Sequence, residues 1–167
     1  MTADEIRRHL QNLGQRLLAR GITADLYLFG GAVMVLVYGT RPGTHDIDAV
    51  FEPKVAVYKV ARQMADELEL DPNWLNDAVK GWLSPQGVMR TYLELPGVRV
   101  SVPDPAYLFA MKVLASRPED RPDLEALIEH LALQSVDQAL DIVGRFYPAA
   151  RLPIQAHYRL AELLPSP

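Results

Sequence analysis

The chain has no cysteine in its 167 residues, which excludes disulfides, thiolate nucleophiles and cysteine-ligated zinc. No apolar run approaches the roughly 20 residues that a membrane-crossing helix needs. The first eight residues, Met1 to Arg8, also lack the apolar stretch of a secretory leader. A cytoplasmic location is therefore the default expectation. Positive charge is in short supply as well: 17 Lys and Arg against 21 Asp and Glu leave a net charge of −4. The chain as a whole thus lacks the basic footprint of a nucleic-acid binder. Local basic groups exist, Arg7, Arg8, Arg16 and Arg20 near the start and Arg145, Arg151 and Arg159 near the end; they read as solvated helix faces or, alternatively, as an RNA-binding surface. The four histidines show neither triad nor metal spacing. What remains is ordinary globular material, 49% hydrophobic and 23% charged, enough for one domain with a single buried core.

Periodicity divides that material. Ile6, Leu10, Leu13, Leu17 and Leu18 recur at helical spacing and predict an amphipathic helix over 3–20. A short strand is expected over 25–29, a nearly all-apolar buried helix over 31–38, and a second strand over 46–51 closed by Pro53. Further helices are predicted over 54–70 and, after Asp71-Pro72-Asn73, over 74–82. If the latter forms, Trp74 and Trp82 share a face, for core packing or for base stacking. Strands over 89–95 and 98–102 flank a Pro96-Gly97 turn and read as a hairpin. Asp104-Pro105 opens a helix to about Ser116, and helices follow over 123–133, 135–146 and 153–164. The expected class is α+β: a small mixed sheet with flanking helices, then a helical C-terminal portion over 129–167.

The chemistry concentrates in one stretch. An apolar strand runs into Gly30-Gly31, a helix follows, then a turn, then a strand opening on Asp46-Ile47-Asp48. Strand side chains alternate, so Asp46 and Asp48 project to one side, with Cα atoms about 6–7 Å apart, and His45 points away from them. Two carboxylates so placed can hold a divalent cation, as phosphoryl and nucleotidyl transfer require. A glycine pair at a helix start lets phosphate approach backbone N–H groups. Either feature alone is common; their ordered combination predicts an enzyme.

Gly30-Gly31 followed by Asp46-Ile47-Asp48 resembles the nucleotidyltransferase superfamily with the polymerase-beta-like fold. Thr44-His45-Asp46-Ile47-Asp48 is closer still to the AbiEii-like branch of abortive-infection and toxin–antitoxin systems, whose strand reads Thr-x-Asp-hydrophobic-Asp. Arg41 stands where members of that branch carry a basic residue. The likeness extends over about residues 24–128, through Lys112 in a helix and then Arg117-Pro118-Glu119-Asp120-Arg121-Pro122-Asp123-Leu124. It implies the nucleotidyltransferase fold, Mg²⁺ or Mn²⁺ on Asp46 and Asp48, and a nucleoside triphosphate substrate near Gly30, Gly31, Arg41 and Thr44. Asp46, Asp48, Lys112 and Asp123 become the candidate catalytic residues. The acceptor would be an RNA such as a tRNA 3′ end, or a protein hydroxyl receiving AMP; a cognate toxin or antitoxin protein is the implied partner.

Lys112 also stands out without any family. It is the one charged residue between Pro105 and Ala115, so it must snorkel to water or find an anion, whether Asp46 and Asp48 or a nucleotide phosphate. Asp123 reads as a helix-start acid or as an active-site carboxylate, and Asp120 as a loop charge or as that carboxylate in its place. A third carboxylate usual in the superfamily is missing from the last strand, which offers Arg99 and Ser101; Glu94 is the alternative. That gap motivates a rival reading, a non-catalytic nucleotide- or partner-binding module with the same fold.

Overall fold

The computed structural model describes residues 1–164. Its described residues form two compact units, the first made of 1–81 with 89–102 and the second of 82–88 with 103–164.

In the first unit, helix α1 (Ala3–Leu18) begins at a capping box: the Thr2 hydroxyl accepts from Glu5 N–H while the Glu5 carboxylate accepts from Thr2 N–H. Strand β1 (Ala24–Leu28) leads into α2 (Gly30–Val33), which continues as a π-helix over Met34–Tyr38. Strand β2 (Ile47–Glu52) ends at a cis Glu52–Pro53 bond, followed by α3 (Lys54–Leu68). Strands β3 (Leu75–Asn76), β4 (Met89–Leu95) and β5 (Val98–Pro103) complete a five-stranded mixed sheet of order β3-β2-β1-β5-β4. β1 runs antiparallel to β2 and parallel to β5, and β2 runs parallel to β3.

Alternation decides what each face does. Ala24, Leu26 and Leu28 of β1 and Ile47, Ala49 and Phe51 of β2 are buried, as are Ile6, Leu10, Leu13 and Leu17 of α1 and Val57, Val60, Ala61 and Met64 of α3. Asp25, Tyr27, Asp48 and Val50 occupy the intervening, partly exposed positions. Burying an apolar side chain of this size contributes about 1.5–3 kcal/mol, so the register is strongly specified: a one-residue slip would expose Ile47, Ala49 and Phe51 together.

In the second unit, α4 (Pro105–Ala115) is buried at every position from Tyr107 to Leu114 and contacts α5 (Arg121–His130), α6 (Val136–Phe146) and α7 (Ile154–Leu163). That encirclement explains its lack of a polar face. Asp104 caps it, its carboxylate accepting from Tyr107 N–H at 2.7 Å.

One predicted element is corrected. The 74–82 segment is not one helix but the bridge β3 followed by a 3₁₀ turn over Ala78–Trp82. Trp74 is buried and donates its indole N–H to the Ala61 carbonyl at 3.0 Å, whereas Trp82 is exposed. The ladder with β2 and this indole anchor outweigh the local helical pattern, so the two tryptophans do not share a helix face.

Candidate active site

Two glycines and two aspartates meet in the first unit. Gly30 has φ +61°, a left-handed conformation that disfavours any residue with a Cβ. A Cβ there would lie 3.0 Å from Asp48 Oδ2. The strand-to-helix turn therefore rests directly against the Asp48 carboxylate. Phe29 N–H donates to the Asp48 carbonyl at 2.8 Å, which ties the end of β1 to the start of β2.

Gly31 is equally confined. A Cβ on it would meet Thr44 Oγ1 at 2.7 Å and lie 3.9 Å from Arg41 Nη1. Thr44 in turn donates its hydroxyl to the Asp46 carbonyl at 3.2 Å. Met1 and Thr44 exchange backbone hydrogen bonds, the Met1 ammonium to the Thr44 carbonyl and Thr44 N–H to the Met1 carbonyl. The structure thus gathers Gly30, Gly31, Arg41, Thr44, Asp46 and Asp48 into one constellation.

Ile47 between the aspartates is fully buried, while Asp46 and Asp48 are partly exposed and His45 is exposed. The strand ladder begins at Ile47, so Asp46 sits at its mouth. The Asp46 carboxylate has a partner that sequence reasoning missed: Asn76 Nδ2 donates to Asp46 Oδ2 at 2.9 Å. Asn76 lies in β3, in register with Asp48. No local signal announces a contact across thirty residues, and Asn76 reads in sequence as part of a helix.

Beside it, Asp77 gathers Lys54 Nζ at 2.7 Å, Lys80 Nζ at 2.6 Å and the Tyr58 hydroxyl at 2.5 Å. The Lys54 ammonium, then those of Lys80 and the Tyr58 hydroxyl, hold the Asp77 carboxyl well below the usual carboxylate range.

The other two candidates lie in the second unit, joined to each other. Lys112 Nζ is 2.8 Å from Asp120 Oδ1 and 2.7 Å from Asp123 Oδ2, and all three side chains are buried. Lys112 thus pairs with anions of its own unit, and Asp123 is a buried ion-pair partner in the first turn of α5. Glu94 is placed away from the aspartate pair. It accepts from Arg99 at 3.2 Å, and Arg99 is in register with Asp25, which faces Glu52. Asp48 lies four residues from Glu52, about 13 Å at the usual strand rise. Arg99 and Ser101 of β5 share the face of Asp48, Ser101 through its register with Tyr27 and Val50, and neither is an acid.

Among known families, the model of one described as "Nucleotidyltransferase of unknown function (DUF6036)" matches residues 7–150. No curated protein and no solved structure matches the chain.

Proposed function

The chain belongs to this nucleotidyltransferase family, and from that premise we propose that it transfers a nucleoside monophosphate from a triphosphate to an acceptor hydroxyl with the help of a divalent metal. The observation that carries the reading is the contact of Gly30 with Asp48, because it joins the phosphate-approach turn and the carboxylate pair in one place.

Asp46 and Asp48 offer hard oxygen donors on either side of a buried residue. Their chemistry suits Mg²⁺ or Mn²⁺, since Mg²⁺ takes one or two protein carboxylates and completes its shell with phosphate oxygens and water. Among the described residues no group of three or more His, Cys, Asp or Glu is placed to hold one ion; in this reading Asp46 and Asp48 are the two protein donors, and phosphate and water complete the shell. When bound, such an ion supplies charge neutralisation and alignment of the triphosphate.

The chain's own residues do the rest. Gly30 and Gly31 have no Cβ to keep a phosphate from the backbone N–H groups at the start of α2. Arg41, beside Gly31, adds a cation for the negative charge that builds on the leaving group. The acceptor hydroxyl gives up its proton to water as its oxygen forms a bond to the α-phosphorus, the bond from phosphorus to the bridging oxygen breaks, and pyrophosphate departs. We assign Lys112 and Asp123, with Asp120, to one buried ion-pair assembly within the second unit.

The Thr44–Asp48 likeness to AbiEii-like enzymes supports an RNA 3′ hydroxyl as acceptor, in a toxin–antitoxin setting. The net charge of −4 supports the second reading, a protein hydroxyl, because it provides no long-range attraction for a polyanion. Incubation of the protein with Mg²⁺, each α-labelled triphosphate, and either total tRNA or a cell lysate freed of nucleic acid tests both. Label should enter one acceptor class and vanish in Asp46→Asn and Asp48→Asn. Nucleotide binding without transfer to either class would instead identify a non-catalytic nucleotide-binding module.

A further inference from the structure

We propose that Asn76 is a positioning residue for Asp46, setting the carboxylate that takes the divalent metal; this rests on the nucleotidyltransferase reading above. Asn76 Nδ2 donates to Asp46 Oδ2 at 2.9 Å, while its own Oδ1 accepts from Ala78 N–H at 3.0 Å. These two bonds settle the orientation of the amide. Turned over, it would set the NH₂ group against a backbone N–H and its oxygen against a carboxylate, losing both bonds.

The amide itself stands on a rigid base. Ile47 N–H donates to the Trp74 carbonyl at 2.7 Å, and β3 is locked in register with Ile47 and Asp48. Trp74, two residues before Asn76, is buried and bonded through its indole to α3. Asn73 N–H, just before it, is tied to Asp71 Oδ1 at 2.7 Å. Asp46 precedes the first ladder residue of β2, so the ladder alone does not orient its side chain. The Asn76 amide does. It engages Oδ2, and among the described residues no side chain or backbone group donates to Oδ1, which is the oxygen left for the metal.

Such a donor on a ligating carboxylate restricts its rotation, and losing an outer partner of this kind typically weakens metal binding or activity about 10- to 100-fold. The test is Mn²⁺ binding, followed by electron paramagnetic resonance with a non-hydrolysable triphosphate present, together with the half-saturating Mg²⁺ concentration for transfer. Asn76→Ala removes both bonds, together with the longer donation from Nδ2 to the Asn73 carbonyl at 3.5 Å. Asn76→Ser keeps a hydroxyl able to accept from the turn N–H but is too short to reach Asp46, and it serves if the alanine variant does not fold.

The serine variant should bind Mn²⁺ about 10- to 100-fold more weakly and need correspondingly more Mg²⁺. Its melting temperature and its KM for triphosphate at saturating Mg²⁺ should stay near wild type, which a merely structural residue would not allow. Wild-type Mn²⁺ affinity in a folded Asn76→Ser protein overturns the role of Asn76. If instead the wild-type protein shows no Mn²⁺ binding that Asp46→Asn abolishes, the nucleotidyltransferase reading falls, and the role of Asn76 with it.

Discussion

At the scale of single residues, the candidate site is defined as much by missing atoms as by charged ones. Gly30→Ala asks a left-handed residue to carry a Cβ, a penalty of roughly 1–2 kcal/mol, and places that Cβ 3.0 Å from Asp48 Oδ2. The expected outcome in urea denaturation is a loss of that size. Displacing Asp48 by a fraction of an ångström to an ångström should also lower transfer by about 100-fold. The Lys112 ion pairs make an opposite kind of demand. Lys112→Ala would remove the buried ammonium that pairs with both Asp120 and Asp123, destabilising the fold by about 3–5 kcal/mol. Adding Asp120→Asn and Asp123→Asn to the same protein should restore much of that loss, because the buried negative charges go with it. Chemical denaturation of the single and triple variants checks both halves.

At the scale of elements, helix propensity and tertiary contact disagree at Gly14. It lies inside α1, where alanine is ordinarily better by about 1 kcal/mol. Here a Cβ would fall 2.3 Å from the Pro96 carbonyl oxygen, and one on Gly97 would fall 2.1 Å from the Gly14 carbonyl oxygen. The two glycines let α1 rest on the turn between β4 and β5. Gly14→Ala should therefore destabilise the protein by about 1–3 kcal/mol, the range of an overpacked contact, read as a lower urea midpoint with the slope unchanged. Most elements were legible beforehand, because Ile6, Leu10, Leu13 and Leu17 mark a helix and Ile47, Ala49 and Phe51 a strand whatever the partner. The segment around Asn76 was not. Its strand pairing is made by backbone groups of Ile47 and Trp74, which carry no trace in side-chain periodicity. The widened turn over Met34–Tyr38 was hidden for a related reason: an apolar run reads alike for α- and π-helix, and here the Tyr92 hydroxyl donates to the Leu36 carbonyl at 2.8 Å.

At the scale of the whole molecule, stability should carry the signature of Asp77. Its carboxyl is held below its ordinary value of 3.8 by Lys54, Lys80 and Tyr58. A depressed folded-state pKa means the unfolded chain binds the proton first, so this stabilisation is complete well above 3.8 and is lost as pH falls below it. The stability gap between wild type and Asp77→Asn should be constant from pH 7 to 5 and should narrow below about pH 4. Urea titrations across that range test it. The sequence by itself determined the α+β class, most element boundaries, and the pairing of Gly30-Gly31 with Asp46 and Asp48, because periodicity, glycine and strand alternation are local properties of a chain. The tertiary structure alone decided which charge meets which. It set Lys112 between Asp120 and Asp123, sent Glu94 to Arg99, and brought Asn76 to Asp46. Partners of a buried or half-buried charge are chosen by desolvation and distance in three dimensions, and neither quantity is written in sequence spacing.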